Sequence, residues 1–184
     1  MRELALHLLD IAENSVSAKA NTVRITVEED HAADRLRIQV EDNGAGMTPE
    51  MVERVTDPFV TSRTTRKVGL GIPLLKAAAE GCSGGLTIRS APGAGTCLTV
   101  EFQHSHIDRM PLGSLADTIL TLVVGSPEVR WIFTYTVDGQ TFEFDDQPVK
   151  EVLDGVPLSD PAILAYLRDC LETGIRSAGE QVSG

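Results

Sequence analysis

Twice between Thr22 and Asp42 the chain places an apolar residue at every second position. TVRITVEE (22–29) carries Val23, Ile25 and Val27, and RLRIQVED (35–42) carries Leu36, Ile38 and Val40. Side chains alternate across a strand, so each run buries one face, and the polar connection DHAAD closes the two into a hairpin. A half-buried hairpin needs a cover, and a helical pattern stands directly before it. At about 100° per residue, Leu4, Ala5, Leu8, Leu9, Ile11, Ala12, Ser15 and Val16 sweep one side of that helix. Glu3, His7, Asp10, Asn14 and Ser17 gather in a narrow stripe on the other. A solvated helix face accounts for this stripe by itself, and His7 is read as a surface or core histidine rather than a site residue. Asp10 and Asn14, one turn apart, also suit a metal ion and a water.

The rest of the chain repeats the two periods. Thr48 as N-cap and Pro49 at the first helical position start a short helix in MTPEMVERVT. The polar stretch TSRTTRK (61–67) leads into a helix over GLGIPLLKAAAEGC that stops at Gly81, and LTIRS and TCLTVEF pair around APGAG. The order α, β, β, α, loop, α, β, β predicts an α+β sandwich, one mixed or antiparallel sheet with helices on one face. Past Phe102, QHSHIDRMPLG reads as a linker. It is followed by a helix LADTILTLVV, a hairpin VRWIFTYTVDGQTFEF turning at Asp138-Gly139, an amphipathic helix PAILAYLRDCLETGI and a frayed end SAGEQVSG. Residues 1–103 are expected to form one domain, and 104–184 an acidic α/β extension packed on it.

Charge separates the two parts. Residues 1–103 hold eleven Lys/Arg and fourteen Asp/Glu, whereas 104–184 hold five and thirteen, within a chain of net charge −11. Such a chain is expected to repel nucleic acid and anionic membranes, and the extension to prefer a neutral or basic protein partner. Glu3 and Asp10 inside the first apolar stretch argue against a signal peptide, and no apolar run approaches the ~18–20 residues of a membrane span. Cys82, Cys97 and Cys170 form no C-x-x-C pair and read as buried thiols in a cytoplasmic protein, without a structural zinc.

Three glycine sites carry the chemistry. In VEDNGAGM (40–47) the Asp-Asn-Gly signal of a hairpin is followed by a helix start, so a hairpin fails there. Gly44 and Gly46 instead permit close backbone approach to a ligand, and Asp42 at the strand end offers a carboxylate to an exocyclic amine. VGLGIPLLK (68–76) fits neither a Walker loop nor the dinucleotide fingerprint, but a Gly-x-Gly opening a helix presents free N–H groups to phosphate. Arg63, Arg66 and Lys67 just upstream are the one tight basic cluster, and an ordinary solvated loop is the competing account. GAGT (93–96) alone is an ordinary turn. His104-Ser-His106 has the spacing of a metal pair, with no further ligand cluster beside it in sequence.

In this order, Asp10/Asn14, D-x-G-x-G at 42–46, Gly-x-Gly after a polar loop and G-x-G-T resemble the GHKL (Bergerat-fold) ATPase superfamily. That group unites gyrase B, mismatch-repair ATPases, the large heat-shock chaperone and sensor histidine kinases. ENSVSAKANTVRITV is similar to the mismatch-repair version of the first box, and DPFVTSRTTRKVGLGI to the histidine-kinase lid. The resemblance implies that Asn14 holds Mg²⁺, that Asp42 reads the adenine amine with Thr96 assisting through a water, and that Gly44 and Gly46 lie under the base. It makes 61–71 an ATP lid, with Gly69, Leu70 and Gly71 supplying amides to phosphate, Arg63, Arg66 and Lys67 adding charge, and Phe59 packing the lid's base. Asp10 takes the general-base position, where hydrolysing members carry Glu and kinases Asn. Ser17 stands where kinases often carry Lys.

None of the histidines lies in a dimerisation-helix motif and no phosphoacceptor pair is read before the first box, which disfavours a free-standing histidine autokinase. The expectation is an Mg-ATP-binding ATPase or protein serine/threonine kinase in regulation. The alternative is a nucleotide-sensing module whose acidic extension meets a regulatory or redox partner. A weaker resemblance, to small ATPases associated with iron-only hydrogenases, implies a hydrogenase as that partner. The aromatic hairpin is expected to join the same sheet, whose edge would otherwise be exposed.

Overall fold

A computed structural model describes residues 3–57 and 71–180 of the chain. Helix α1 (Leu4–Ser17) precedes strands β1 (Thr22–Asp30) and β2 (Arg35–Asp42). Helices α2 (Pro49–Thr56) and α3 (Gly71–Gly81) and strands β3 (Gly85–Ala91) and β4 (Gly95–Gln103) follow. Then come α4 (Leu115–Gly125), β5 (Arg130–Val137), β6 (Gln140–Asp145), α5 (Gln147–Leu153) and α6 (Pro161–Glu180). The strands form one mixed sheet in the order β3-β4-β2-β1-β5-β6, in which β1–β5 is the parallel pair.

Register explains why this sheet has one wet and one dry face. Ile25 stands opposite Val40 and Val27 opposite Ile38, so both alternating runs present their apolar residues to the same side. The parallel partner continues these rows, with Val23 beside Trp131, Ile25 beside Phe133 and Val27 beside Tyr135. Helices α1, α3, α4 and α6 cover this side, and a single apolar core runs from Leu4 to Ala178. The other side is polar, with Thr87, Thr99, Gln39, Thr26 and Thr134 in one row across five strands.

Local chemistry sets the ends of the elements. Thr48 Oγ1 accepts from Met51 N–H at 3.2 Å and caps α2 as its sequence predicts. Helix α1 has no side-chain cap; Leu4 N–H and Ala5 N–H donate instead to the Pro111 and Leu112 carbonyls, both at 2.9 Å. The segment after β4 thus completes the helix that opens the chain. Asp138 and Gly139 turn β5 into β6 with φ of 47° and 89°, the left-handed pair that matches strand twist in a tight hairpin. At Gly174 a Cβ would come within 2.1 Å of the Phe142 ring, so glycine lets α6 lie directly on β6.

Several expectations are corrected. Helix α5 is not marked by apolar periodicity. Ser177 to Glu180, read as frayed, continue α6, because Ala178 extends the buried stripe of Leu167 and Leu171. Of the three free cysteines only Cys82 is buried; Cys97, on the polar side of the sheet, and Cys170 are half-buried. Of the two positions open to His7, surface or core, the structure shows the core, at 4% exposure, with α4 packed along α1. Among the described residues no helix is long and apolar enough to cross a membrane.

Candidate functional site

The site is built where β2 ends beneath α1. Asp42 lies on the helix-covered side of the sheet and is held from two directions: Ser15 Oγ donates to its Oδ2 at 2.6 Å, and Gly44 N–H to its Oδ1 at 2.9 Å. An ionised carboxylate offers about four acceptor positions, so two donors orient it and leave capacity for a third. Thr96 stands directly opposite Asp42 in the β2–β4 ladder. Its hydroxyl lies 2.8 Å from Ser90 Oγ, which also bonds the Gly95 carbonyl at 3.0 Å and accepts from Met47 N–H at 2.8 Å.

The loop after Asp42 is locked by close backbone packing. Asn43 Oδ1 accepts from the N–H groups of Asn21 (3.0 Å) and Thr22 (3.1 Å). Ala45 N–H donates to the Ala18 carbonyl at 2.9 Å, and Gly93 N–H to the Ala45 carbonyl at 2.7 Å. A Cβ on Gly44 would stand 2.7 Å from the Ala18 oxygen. One on Gly46, at φ +72°, would stand 1.9 Å from the Ala91 oxygen. The crowding that demands glycine here therefore comes from the chain's own backbone.

Asp10 and Asn14 differ from Asp42. Asp10 is exposed and Asn14 half-buried, and neither side chain makes a hydrogen bond or ion pair among the described residues. Gly71, the first residue of α3, faces Asp10; a Cβ there would sit 3.9 Å from the Asp10 Cβ. Asp10 therefore lies beside the start of the helix that follows the basic segment. Phe59, Arg63, Arg66, Lys67, Gly69 and Leu70 lie outside the described residues.

A cleft of about 680 Å³ opens beside this site, lined by Arg24, Glu41, Arg89 and Cys97 from the polar side of the sheet and by Asp42, Ser90 and Thr96 at the strand ends. Asp10, Asn14 and Gly71 do not line it. Sequence reasoning missed Ser15, Asn43 and Ser90. For Ser15 a signal existed: a hydroxyl at an apolar position of α1, now 4% exposed, must find a partner. Ser90 and Asn43 carry no such mark.

Comparison with known proteins agrees with this geometry. Residues 1–106 match the family described as histidine kinase-, DNA gyrase B-, and HSP90-like ATPase. The chain is 42% identical over 93 residues to the sensor protein kinase FleS of Pseudomonas aeruginosa, covering 50% of this chain and 23% of that protein. It is 32% identical over 111 residues to the non-motile and phage-resistance protein of Caulobacter vibrioides, covering 55% and 13%. The chain thus spans a quarter or less of the length of these relatives. Among solved structures, the Aquifex aeolicus MutL ATPase domain complexed with ADP superposes with a TM-score of 0.50 at 18% identity, covering 84% of this chain and 68% of that one. The N-terminal domain of a DNA repair protein superposes with a TM-score of 0.56 at 14% identity, covering 78% and 52%. These two likenesses concern the fold.

Proposed function

Since the chain belongs to the histidine kinase-, DNA gyrase B- and HSP90-like ATPases, we propose that it binds Mg-ATP over Asp42 and acts as a slow ATPase or a protein serine/threonine kinase in the cytoplasm. The observation that carries this is the contrast within one site: Asp42 is fixed by Ser15 and Gly44, while Asp10, beside Gly71, and Asn14 bond nothing among the described residues. Asp42 accepts from the adenine amino group, and Thr96 assists through a water. Gly44 and Gly46 underlie the base. The amides of Gly69, Leu70 and Gly71 receive phosphate oxygens, with charge added by Arg63, Arg66 and Lys67. Asp10 orients the attacking water or hydroxyl and accepts its proton.

An amide oxygen with an exposed carboxylate one turn away is a hard-oxygen set that fits Mg²⁺, and Asn14 is the residue that would hold it. When bound, the ion supplies neutralisation of phosphate charge.

A second reading is a nucleotide-sensing module that turns over little ATP. It is favoured by Ser17, which removes a phosphate contact that kinases usually make, and by the acidic bias of residues 104–184. Its partner would be a neutral or basic regulatory or redox protein, such as a hydrogenase, with nucleic acid and anionic membrane disfavoured by charge. Phosphate release with and without Mg²⁺, in the parent and in Asp10→Asn, separates the two. The enzyme reading expects turnover to fall about 10²-fold or more in Asp10→Asn with little change in ATP affinity. Unchanged turnover in that variant removes Asp10 from the mechanism, and none in the parent leaves the sensor.

A further inference from the structure

At the opposite end of β1, about 20 Å from Asp42 at ~3.3 Å per residue, the fold assembles a second polar cluster. Glu29 ends the pairing of β1 with β5, His31 opens the loop to β2, and His104 follows β4. One ligand atom from each lies within 4.8 Å of the other two. His104 Nε2 is 2.8 Å from Glu29 Oε1, and the two imidazoles meet edge to face with centroids 4.6 Å apart. We propose that Glu29, His31 and His104 bind a divalent transition-metal ion of the zinc type.

Three observations support it beyond proximity. First, two of the three groups are oriented by a further residue. Tyr135 O–H donates to Glu29 Oε2. Asp138 Oδ2 lies 2.6 Å from His31 Nδ1, while its Oδ1 accepts from His31 N–H at 2.7 Å. Metal-bound histidines are held in this way, with the second ring nitrogen on a carboxylate and the first left as the lone pair. Second, the spacing suits an ion: ligand atoms on a tetrahedral zinc at ~2.0–2.1 Å stand about 3.3 Å apart, and here all three lie within 4.8 Å of one another, with His104 Nε2 and Glu29 Oε1 at 2.8 Å. Third, exposure is graded. The side chains of Glu29 and His104 are 17% and 16% exposed, whereas His31 is 52% exposed, so the ion has an entry side and a fourth position for water. Two imidazoles with one carboxylate select zinc-type ions over Mg²⁺ or Ca²⁺.

The ligands come from positions 29, 31 and 104, so the sequence spacing of His104 and His106 points to the wrong pair. His106 Nδ1 instead accepts from Asp108 N–H at 3.1 Å. An ion here would clamp three pieces together: the β1–β2 hairpin, the segment that caps α1, and, through Tyr135 and Asp138, the β5–β6 hairpin.

The test uses the full, untagged chain stripped of metal by chelator dialysis. Calorimetric titration with Zn²⁺ is expected to give one ion per chain, with a melting temperature that rises on Zn²⁺ addition. Co²⁺ is expected to give visible d–d absorption of nitrogen–oxygen type without a thiolate band. His31→Ala and His104→Ala should abolish the stoichiometric binding, Asp138→Asn should weaken it about tenfold or more, and His106→Ala should change nothing. Parent-like Zn²⁺ affinity in the His31→Ala/His104→Ala double variant overturns the proposal. So does a cobalt–thiolate band, which would assign the ion to the cysteines, or a parent that binds no Zn²⁺ at about 100 µM, far above ordinary zinc-site affinities. If a variant fails to fold, the cobalt spectrum of the parent still decides. None of these readouts depends on nucleotide binding.

Discussion

Strands β1 and β2 carry polar groups at both ends, and the fold treats the two ends in opposite ways. On the helix above Asp42, the side chains of Asp10 and Asn14 bond nothing among the described residues, although the start of α3 stands beside Asp10. At the far end, His31 bonds Asp138, Glu29 bonds His104 and Tyr135, and the two sets meet where the imidazoles pack edge to face. Bonded polar groups fix a shape, whereas free ones on an exposed helix face are solvated cheaply and remain available to a ligand. Asp42 stands between these cases. Two donors fix its direction and leave acceptor capacity, as suits a group that must recognise rather than react.

The largest expected effect tests whether the two ends belong to one body. A fragment ending at Gln103 keeps Asp10, Asn14 and Asp42 but loses His104, Tyr135, Asp138, the whole of β5 and the carbonyls that bond Leu4 and Ala5. Trp131 and Phe133 are 1% and 0% exposed, and burying a large apolar side chain contributes roughly 1.5–3 kcal/mol. A few such losses are a large part of a domain's ~5–15 kcal/mol. The fragment is expected to aggregate or melt far below the full chain. A soluble 1–103 fragment with the parent's melting temperature would mean that the nucleotide end folds alone and the comparison joins two modules.

Next comes Asp146, which ties α5 to β5 within the extension, at the end of the sheet where Trp131 pairs with Val23. Its carboxylate is fully buried, accepts from Trp131 N–H at 2.9 Å and meets Lys150 Nζ at 2.6 Å. Burial pushes its pKa up, and the Lys150 hydrogen bond pulls against that rise. Asp146→Ala strands the buried Trp131 N–H and takes one partner from Lys150 Nζ, which keeps the Val129 carbonyl at 2.7 Å, so about 1–3 kcal/mol of stability is expected to be lost. Urea unfolding measures it. A cost within experimental error would show that water replaces both contacts and that paired groups do not fix this end.

These effects also mark what could be read from sequence. Strand and helix periods are local, so β1, β2, the Thr48 cap and the Asp138-Gly139 turn were all legible, as was the ordered set of glycine motifs. Addition of β5 to β1 was legible as a need, an uncovered edge and an aromatic hairpin to cover it. Ser90 with Thr96, and Glu29 with His104, were not, because they meet only through register across strands distant in sequence. The choice for His7 between surface and core stayed open for a related reason: the helical wheel shows one buried face, and α4 packs along α1 as well.

An effect of similar size separates recognition from reaction within the nucleotide end. Asp42→Asn keeps an acceptor for Gly44 N–H and a partner for Ser15, so the fold should hold. It turns one acceptor into a donor against the adenine amine. A loss of roughly 1.5–3 kcal/mol in ATP affinity is expected, the scale of a hydrogen bond to a charged group. Calorimetry that finds ATP and GTP bound equally well by the parent would remove Asp42 as the reader of the base.

The smallest expected effect is in acid, and it concerns ion pairs that both lie at the surface. Arg130 grips Asp145 through Nε (3.2 Å) and Nη2 (2.5 Å), and Arg168 bonds Asp117. The Arg130 hydrogen bond holds the Asp145 carboxyl below the usual range, and the Arg168 hydrogen bond does the same for Asp117. A carboxylate with a depressed folded pKa binds fewer protons when folded than when unfolded. Its contribution is therefore present above the unfolded value, near pH 4, and is lost as pH falls through the folded one. Stability should decline below that pH, and the decline should be shallower in Asp145→Asn and Asp117→Asn, which cannot titrate. Both pairs are largely exposed and screened by water, so each variant should cost little at neutral pH. Urea midpoints from pH 2 to 6 compare parent and variants. Parallel curves would show that neither arginine holds its carboxylate in solution.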